Sequence, residues 1–292
     1  MRQKRLGYLF IAPATLHLFV FALFPLAYTL YLSFFKVNLL QGERTFVGGQ
    51  NYAYTFSDGL FWNAMANSLR YALFSVPAGM ALALAVALLV SRKLWGMSWF
   101  RTIYYIPAIA SGVAISMLWI YIYLPETGLL NTLFGMVGIT NKTDFLKDPA
   151  WAMWALVFMS IWIGLGPKMV LFVAGLMGIP ASLYEAAELD GAGSWRTFWS
   201  VTLPMLAPTT LFVLVTSTIG ALQIFTPIYV MTQGGPGDAT DVVGFHIYVE
   251  AWKKFLIGIA ATKSFVLLLV ILLAAWLQFR LMRNSMRGYS AG

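Results

Sequence analysis

The chain has 292 residues, of which 60% are hydrophobic and only 10% are charged, and its mean hydropathy is +0.76. This composition excludes an ordinary soluble domain and indicates an integral membrane protein. The formal net charge of +8 comes without a block of basic residues typical of nucleic-acid binding, and the absence of cysteine excludes disulfides, Cys-ligated zinc and cysteine nucleophiles.

Six apolar stretches are long enough to cross a membrane as helices. They lie at about residues 6–35, 71–90, 100–123, 151–177, 206–231 and 259–281. The first is far longer than the roughly 7–15 residues of a cleavable signal peptide's apolar core, so we expect a retained helix. The sequence therefore predicts an all-α polytopic membrane protein with about six transmembrane helices. We expect residues 1–292 to form a single transmembrane domain.

One long polar stretch between these spans, residues 179–208, has the pattern of ordered structure. Ser182 and Glu185 have the spacing of a capping box, which predicts a short helix that begins near Leu183. Gly191 offers the permissive backbone at which this helix can end. We expect a helix followed by a glycine bend.

A second short helix is predicted after Gly193. Ser194 can cap this helix, and Pro204 should follow its end. The stretch could instead be an amphipathic helix on the membrane surface. A DNA-reading helix-turn-helix is disfavoured because the acidic residues of the loop would face phosphates.

The 179–208 loop resembles the EAA loop of the permease subunits of binding-protein-dependent ABC importers. The resemblance is carried by Glu185-Ala186-Ala187, Asp190-Gly191-Ala192 and Leu203-Pro204. In that family the loop is a cytoplasmic coupling element that docks in a cleft on an ATPase subunit. The resemblance implies this role for Glu185, Ala186, Ala187, Leu189, Asp190, Gly191 and Ala192.

Other segments are similar to the sugar permeases of the same superfamily, in particular the maltose and glycerol-phosphate class. They are residues 46–52 (Phe-Val-Gly-Gly-Gln-Asn-Tyr), 61–68 (Phe-Trp-Asn-Ala-Met-Ala-Asn-Ser), 101–107 and 232–237 (Thr-Gln-Gly-Gly-Pro-Gly). The glycine run in 232–237 is not a phosphate-binding loop, because no Lys-Ser or Lys-Thr follows it and no strand is predicted before it. The resemblance covers nearly the whole chain and implies the type I ABC importer fold.

The family resemblance also implies partners and an energy source. The chain would pair with a second, homologous permease, with two copies of an ATPase subunit and with an extracytoplasmic solute-binding protein. By this resemblance the chain would be a transport subunit, not an enzyme, and would bind no cofactor, while ATP and Mg would bind to the ATPase. The sequence holds no Walker A motif, so this chain is not expected to hydrolyse ATP itself. The alternative is an ion-driven secondary transporter, but no internal repeat of the kind common in that class is visible.

The distribution of charge predicts the orientation. If the N terminus is inside, the inner loops and ends hold Arg2, Lys4, Arg5, Arg92, Lys93, Arg101, Arg196, Arg280, Arg283 and Arg287 against the acids Glu185, Glu188 and Asp190. The outer loops hold about as many acids as cations. The bias predicts a multi-pass protein of the plasma (inner) membrane with both termini and the 179–208 loop in the cytoplasm.

The resemblance places a possible substrate pathway on the fourth and fifth core helices. The positions that match those of relatives with a membrane sugar site are Ser160, Gly164 and Pro167, with Gly220, Ala221 and Ile224, and Lys168 and Gln223 lie near them in sequence. The polar amides of a maltose-type site are replaced here by Ala221 and Ile224. Lys168, which is deep in its span, could favour an acidic or phosphorylated sugar or could only reach solvent.

The remaining polar residues near the spans predict no catalytic or metal site. Lys263 lies near the outer end of its span, and we expect it to extend toward the interface, since no acidic partner is predicted inside the spans. His246 is expected at a surface or interface, because the sequence shows neither a second histidine nor a patterned set of carboxylates with it.

Overall fold

The computed structural model describes residues 2–38, 42–91, 97–139 and 142–287. Two of the predicted cytoplasmic cations, Arg92 and Lys93, lie outside the described residues. The side chains of Arg2, Lys4, Arg5, Arg101 and Arg287 also lie outside the described part of the chain.

The described residues are mostly helical, as predicted. The helices are α1 Arg2–Leu18, α2 Phe24–Ser33, α3 Gln50–Ser57, α4 Gly59–Val90, α5 Met97–Ile109, α6 Gly112–Ile122, α7 Leu129–Met136, α8 Ala152–Met177, α9 Ala181–Leu189, α10 Ser194–Thr197, α11 Leu203–Met205, α12 Ala207–Leu222, α13 Val243–Tyr248 and α14 Ile257–Arg287. Short π-helical segments lie at Phe19–Leu23, Phe198–Thr202, Ile228–Thr232 and Val249–Lys253. Strands β1 Phe35–Asn38 and β2 Glu43–Phe46, which the sequence analysis did not predict, pair antiparallel with Phe35 opposite Phe46.

The number of spans agrees with the prediction of about six. Four continuous helical stretches of the described residues are long and apolar enough to cross a membrane: Phe10–Ser33, Gly59–Val90, Ala152–Met177 and Ile257–Arg283. Two bent pairs raise the number to six if each pair is one span. These pairs are Thr102–Ile109 with Gly112–Ile122, bent by 105°, and Ser194–Met205 with Ala207–Leu222, bent by 65°.

The predicted boundaries were less accurate than the predicted number. The predicted third span is bent between α5 and α6, where Ser111 has extended backbone (φ −58°, ψ 129°). The predicted fifth span ends at Leu222 instead of near residue 231. The C-cap of this helix is Gln223 (φ −100°, ψ 12°), and helical backbone resumes at residues 226–227, so the break covers only residues 223–225.

The chain divides into two compact units, the first of which is Met1–Trp62 with His246–Leu269. Within this unit the amide of Asn51 donates to the carbonyl oxygens of Ser33 (2.8 Å) and Phe35 (3.1 Å) at the turn between α2 and β1. Gly258 lies so close to the same turn that an added Cβ would be 1.9 Å from the Phe35 oxygen. Asn51 therefore satisfies the carbonyl of Ser33, which the end of α2 leaves without a partner in the helix, and links it to Phe35 at the start of β1.

The second unit is Asn63–Phe245 with Val270–Gly292. Its core lies along α8, which packs on α5 and α12. Gly166 allows the first contact, since an added Cβ would lie 2.2 Å from the Tyr104 oxygen, and Gly175 allows the second, since a Cβ would lie 2.6 Å from Thr209 Oγ1. At the start of this unit Asn67 donates to the carbonyl oxygens of Asp238 (2.9 Å) and Asp241 (3.0 Å). The two glycine contacts fix α8 against α5 and α12, and the Asn67 hydrogen bonds hold the segment at residues 238–241.

Candidate functional site

The helix of the 179–208 loop is present, but the predicted capping box is not. Helix α9 begins at Ala181 after Pro180, whose backbone is extended (φ −58°, ψ 132°), and no side chain caps it. Ser182 therefore lies inside the first turn instead of before it, so it cannot act as the cap and Glu185 cannot act as its partner. The error arose because Pro180 starts the helix two residues earlier than the capping-box spacing predicted.

The predicted glycine bend is present at Gly191. This residue has a positive φ of 71°, a backbone conformation that side-chain-bearing residues rarely adopt. The N–H of Gly191 donates to the Glu188 oxygen (3.0 Å), and the N–H of Ala192 donates to the Ala187 oxygen (2.9 Å). This pair of hydrogen bonds is the Schellman motif, which ends α9 sharply and satisfies its last carbonyl groups.

The second helical segment differs from the prediction. Gly193 precedes α10 and Ser194 is its first residue, without a capping hydrogen bond from a side chain. The segment continues through Phe198–Thr202 into α11, so it does not stop before Pro204. Pro204 is the second residue after the π-helical segment in this continuous run, which accommodates a residue without an N–H donor.

Helix α9 is anchored on one side and exposed on the other. Ala187 is buried, and the Tyr184 hydroxyl lies 3.2 Å from Thr202 Oγ1, which ties α9 to the second helical segment. By contrast, Leu189 is 90% exposed and Trp195 is 75% exposed. Glu185, Ala186, Asp190 and Gly191 are exposed as well, whereas Ala192 is half-buried. The loop presents a mixed apolar and acidic surface on a rigid support.

A cavity of about 800 Å³ lies beside this surface. It is lined by residues of α9 and α10 together with Leu88 and Ser91 at the end of α4, and Leu176 and Met177 at the end of α8. The loop is therefore adjacent to the ends of two long apolar helices. A partner that moved α9 would act directly on those ends.

The first group of predicted pathway residues lies along one side of α8. Ser160, Gly164 and Lys168 are four residues apart, which places them on one face of a helix. Ser160 accepts a hydrogen bond from the hydroxyl of Tyr71 on α4. Pro167 is half-buried within the same helix. The face of α8 that carries these residues therefore adjoins α4.

The second group of predicted pathway residues lies at the break after α12. Gly220 is exposed and Ala221 is buried near the end of the helix, while Gln223 and Ile224 follow it. Gln223 is exposed, and the Ile224 carbonyl lies against Gly244, where an added Cβ would be 2.8 Å from the oxygen. Among the described residues, no hydrogen bond joins this group to Ser160 or Lys168. The structure thus places the two groups on separate elements and does not bring them together by direct polar contact.

Lys263 is buried and paired with two acidic residues that lie just outside the spans, a pairing that the sequence analysis did not predict. Its side chain is 0% exposed, and Nζ lies 2.7 Å from Asp58 Oδ2 and 2.9 Å from Glu250 Oε1. Nζ is also 2.9 Å from Nε2 of His246, which is buried in this cluster and not at the surface. The rings of Tyr54 and Phe61 lie within 6 Å of the ammonium. The sequence analysis missed the cluster because Asp58 and Lys263 are 205 residues apart.

The same cluster has the donor set of a metal site, since donor atoms of Asp58, His246 and Glu250 lie within 4.8 Å of one another. The Lys263 ammonium, however, lies within 3 Å of one atom from each of the three. The ammonium donates to the carboxylate oxygens of Asp58 and Glu250, and Nε2 of His246 lies 2.9 Å from it. The cation of this cluster is therefore the lysine itself.

The two carboxyl groups of the cluster are held in the charged form. Burial raises the pKa of Glu250, but His246, Lys263 and Lys254 outweigh burial and lower the pKa to about 2. For Asp58, burial also raises the pKa, and the hydrogen bond and charge of Lys263 reverse that effect and lower it. The cluster consequently combines two carboxylates with two lysines, of which Lys254 is half-exposed.

Comparisons with known proteins agree with this architecture. The sequence model of the family described as "Binding-protein-dependent transport system inner membrane component" matches residues 75–285. The lactose transport system permease protein LacF of Rhizobium radiobacter is 34% identical to this chain, over 94% of the chain and 92% of the relative. The sn-glycerol-3-phosphate transport system permease protein UgpA of Agrobacterium fabrum is 32% identical, over 95% of the chain and 94% of the relative.

A solved structure supports the fold assignment. A chain of a bacterial ABC transporter involved in the import of the acidic polysaccharide alginate superimposes on this one with a TM-score of 0.82. The two chains are 23% identical, and the match covers 97% of this chain and 96% of that one. This likeness confirms the predicted fold class.

Proposed function

The chain belongs to the family of inner membrane components of binding-protein-dependent transport systems, and from that membership we propose that it forms part of an ATP-driven importer of a sugar or sugar derivative. Like the permease subunits of its family, it is a non-catalytic transport component. It forms the pathway together with a second, homologous permease. Two copies of an ATPase subunit, which bind ATP and Mg, supply the energy, and an extracytoplasmic solute-binding protein delivers the solute.

The observation that carries this proposal is the geometry of α9. A Schellman motif at Gly191 and the Tyr184–Thr202 contact make the helix rigid, and the exposed Leu189 and Trp195 offer apolar surface to a partner. Exposed apolar side chains with a polar surround are typical of protein interfaces. The loop, residues 179–208, is the ATPase-docking element in this proposal.

The mechanism follows from the position of this loop. When ATP closes the ATPase dimer, α9 moves with the ATPase, and the adjoining ends of α4 and α8 move with α9. The pathway then opens outward to receive the solute from the binding protein. Hydrolysis returns the ATPase to its open state and the pathway to the inward-facing state, which is an alternating-access cycle driven by a two-state element.

The orientation and the solute class are parts of the same proposal. The excess of cations on the predicted inner loops supports cytoplasmic termini and a cytoplasmic α9 in a multi-pass protein of the plasma (inner) membrane. The lactose and glycerol-phosphate permeases among its relatives support a carbohydrate or a carbohydrate derivative as the solute.

Site-directed cross-linking tests the proposal because the natural chain contains no cysteine. Leu189→Cys places one thiol on the proposed docking surface, and Phe46→Cys places one on β2, where the native side chain is 67% exposed. A thiol-specific cross-linker added to inverted membrane vesicles should join the Leu189→Cys chain to an ATPase subunit and leave the Phe46→Cys chain unlinked. Uptake of the solute into right-side-out vesicles should require internal ATP.

Two results would overturn the proposal. One is labelling of Leu189→Cys by a membrane-impermeant thiol reagent from the extracytoplasmic side, which would place α9 on the wrong face. The other is uptake that continues without ATP and stops when an ionophore collapses the ion gradients. That second result would identify an ion-driven secondary transporter instead.

A further inference from the structure

The ammonium of Lys168 lies at the middle of a membrane-spanning helix. Lys168 belongs to α8, which has 26 residues, and its Nζ lies beside Gly164, at the midpoint of that helix. A methyl group added to Gly164 would be 2.8 Å from this Nζ. At a rise of 1.5 Å per residue, either end of α8 is roughly 18 Å away, about three times the reach of a lysine side chain. Lys168 therefore does not extend to the aqueous ends of its helix.

Two glycines make room for this position. Side chains on a helix lean toward its N terminus, so Lys168 extends back over Gly164, one turn earlier. Gly79 on α4 faces the same point, since an added Cβ there would lie 2.9 Å from Nζ. Any larger residue at either position would displace the ammonium. The notch formed by Gly79 and Gly164 thus holds a cation at the depth of the helix centre.

Lys168 has no polar partner in the described part of this chain. Neither a hydrogen bond nor an ion pair is formed by its half-buried side chain with any described residue. Lys263, the other lysine within a span, shows how this chain compensates such a charge, because its Nζ contacts Asp58 and Glu250. A charged group within a membrane costs several kcal/mol unless it is paired or hydrated, so an uncompensated one indicates a function.

We propose that Lys168 is a specificity-determining residue that binds the anionic group of the transported solute. This inference rests on the proposed function and deepens it: the solute class becomes carbohydrates or their derivatives that carry a carboxylate, phosphate or sulfonate. A lysine ammonium is a compact charge with three donors, which suits oxygen anions of all three kinds. The relatives include a permease for neutral lactose and one for anionic glycerol phosphate, so they do not decide the charge of the solute. The inference therefore depends on the residues of this chain.

The first test uses the complete complex, purified from native membranes with its partners and reconstituted in liposomes. The probes are matched neutral and anionic pairs: glycerol with sn-glycerol 3-phosphate, glucose with glucose 6-phosphate, and cellobiose with its uronic acid. We expect ATP-dependent import of an anionic member. Lys168→Met should reduce that import at least tenfold, Lys168→Arg should retain at least a third of it, and the ATP hydrolysis stimulated by the loaded binding protein should change less than twofold.

The second test separates the charge from the shape of the side chain. Lys168→Cys introduces one thiol into a chain that has none. Aminoethyl methanethiosulfonate attaches a side chain that ends in an ammonium, whereas methyl methanethiosulfonate attaches a neutral one. Import of the anionic probe should be lost in Lys168→Cys and restored at least fivefold by the first reagent only. The same reagents on the unmodified complex control for thiols of the partner subunits.

Three outcomes would overturn the inference and leave the proposed function standing. They are ATP-dependent import of neutral probes only, import of an anionic probe that Lys168→Met leaves unchanged, and equal recovery with both thiol reagents. A loss of ATP hydrolysis in parallel with import would also overturn it, since it would assign Lys168 a structural role. Failure to import any probe in an ATP-dependent way would instead contradict the proposed function itself.

Discussion

Lys263 and Glu250 form an ion pair of 2.9 Å between side chains that are 0% and 1% exposed. The pair joins α14 to the π-helical segment Val249–Lys253, and Asp58 completes it from the loop before α4. Pairing of this kind compensates a buried charge but contributes little net stability relative to an apolar packing of the same volume. Loss of Lys263 would therefore leave the carboxylates of Asp58 and Glu250 without the buried cation that compensates them.

Removal of Lys263 should therefore destabilise the protein strongly. In Lys263→Met the carboxylates of Asp58 and Glu250 lose the cation between them, and we expect a cost of about 3–5 kcal/mol in the free energy of unfolding. Lys254→Met is the matched control, because Lys254 contacts the same Glu250 oxygen at 3.2 Å but is 46% exposed. Its loss should cost under about 1 kcal/mol. Thermal unfolding of the two variants in detergent measures the difference, and equal effects would show that burial of the pair is unimportant.

Acid should weaken the same cluster. The pKa of Glu250 is lowered from an ordinary value of 4.5 to about 2 in the folded protein. A carboxyl with a lowered pKa contributes stability that is fully present above its unfolded pKa and is lost as the pH falls through its folded pKa. The unfolding temperature should thus fall between about pH 4.5 and pH 2. Glu250→Gln should be less stable than the natural chain at pH 7 and should show a shallower decline below pH 4.5; an unchanged slope would contradict this assignment.

The features that were predicted correctly depend on residues near each other in sequence. Long apolar stretches identify the spans because about 20 apolar residues cross a bilayer, whatever their partners are. Gly191 marked the end of α9 because a helix end with positive φ strongly favours glycine. The start of α9 was misjudged by two residues, since Pro180 and the capping-box spacing of Ser182 gave conflicting signals and the proline decided.

The features that were missed depend on tertiary contacts. No local pattern indicates that Lys263 meets Asp58, 205 residues away. The role of Asn51 was not predicted either, although its segment was identified by resemblance, because the carbonyl oxygens it satisfies lie at the end of α2 and the start of β1. The depth of Lys168 was visible from sequence, but the direction of its side chain toward Gly79 was not.

The close approach of α5 and α8 depends on Gly166. An added Cβ would lie 2.2 Å from the Tyr104 oxygen and 2.8 Å from the Tyr105 Cα, which are backbone atoms that cannot rotate away. Gly166→Ala should therefore separate the two helices and cost at least about 1–3 kcal/mol. Gly135→Ala on α7 is the control, because nothing lies within 4 Å of the added methyl and alanine favours the helix. Unfolding temperatures should fall for the first variant and stay constant or rise for the second.

Substitution of Gly191 tests coupling separately from folding. What limits the residues that fit at this position is the backbone conformation, and not the space around the Cα atom. The φ of Gly191 is 71° and nothing lies within 4 Å of an added Cβ. Gly191→Val should strain the end of α9 by about 1–2 kcal/mol and misplace the proposed docking surface, so import should fall at least tenfold while the chain still accumulates in the membrane. Gly191→Asn is the control, since asparagine tolerates positive φ and should keep at least half of the import. Normal import by Gly191→Val would show that the geometry of this helix end does not transmit the action of the ATPase.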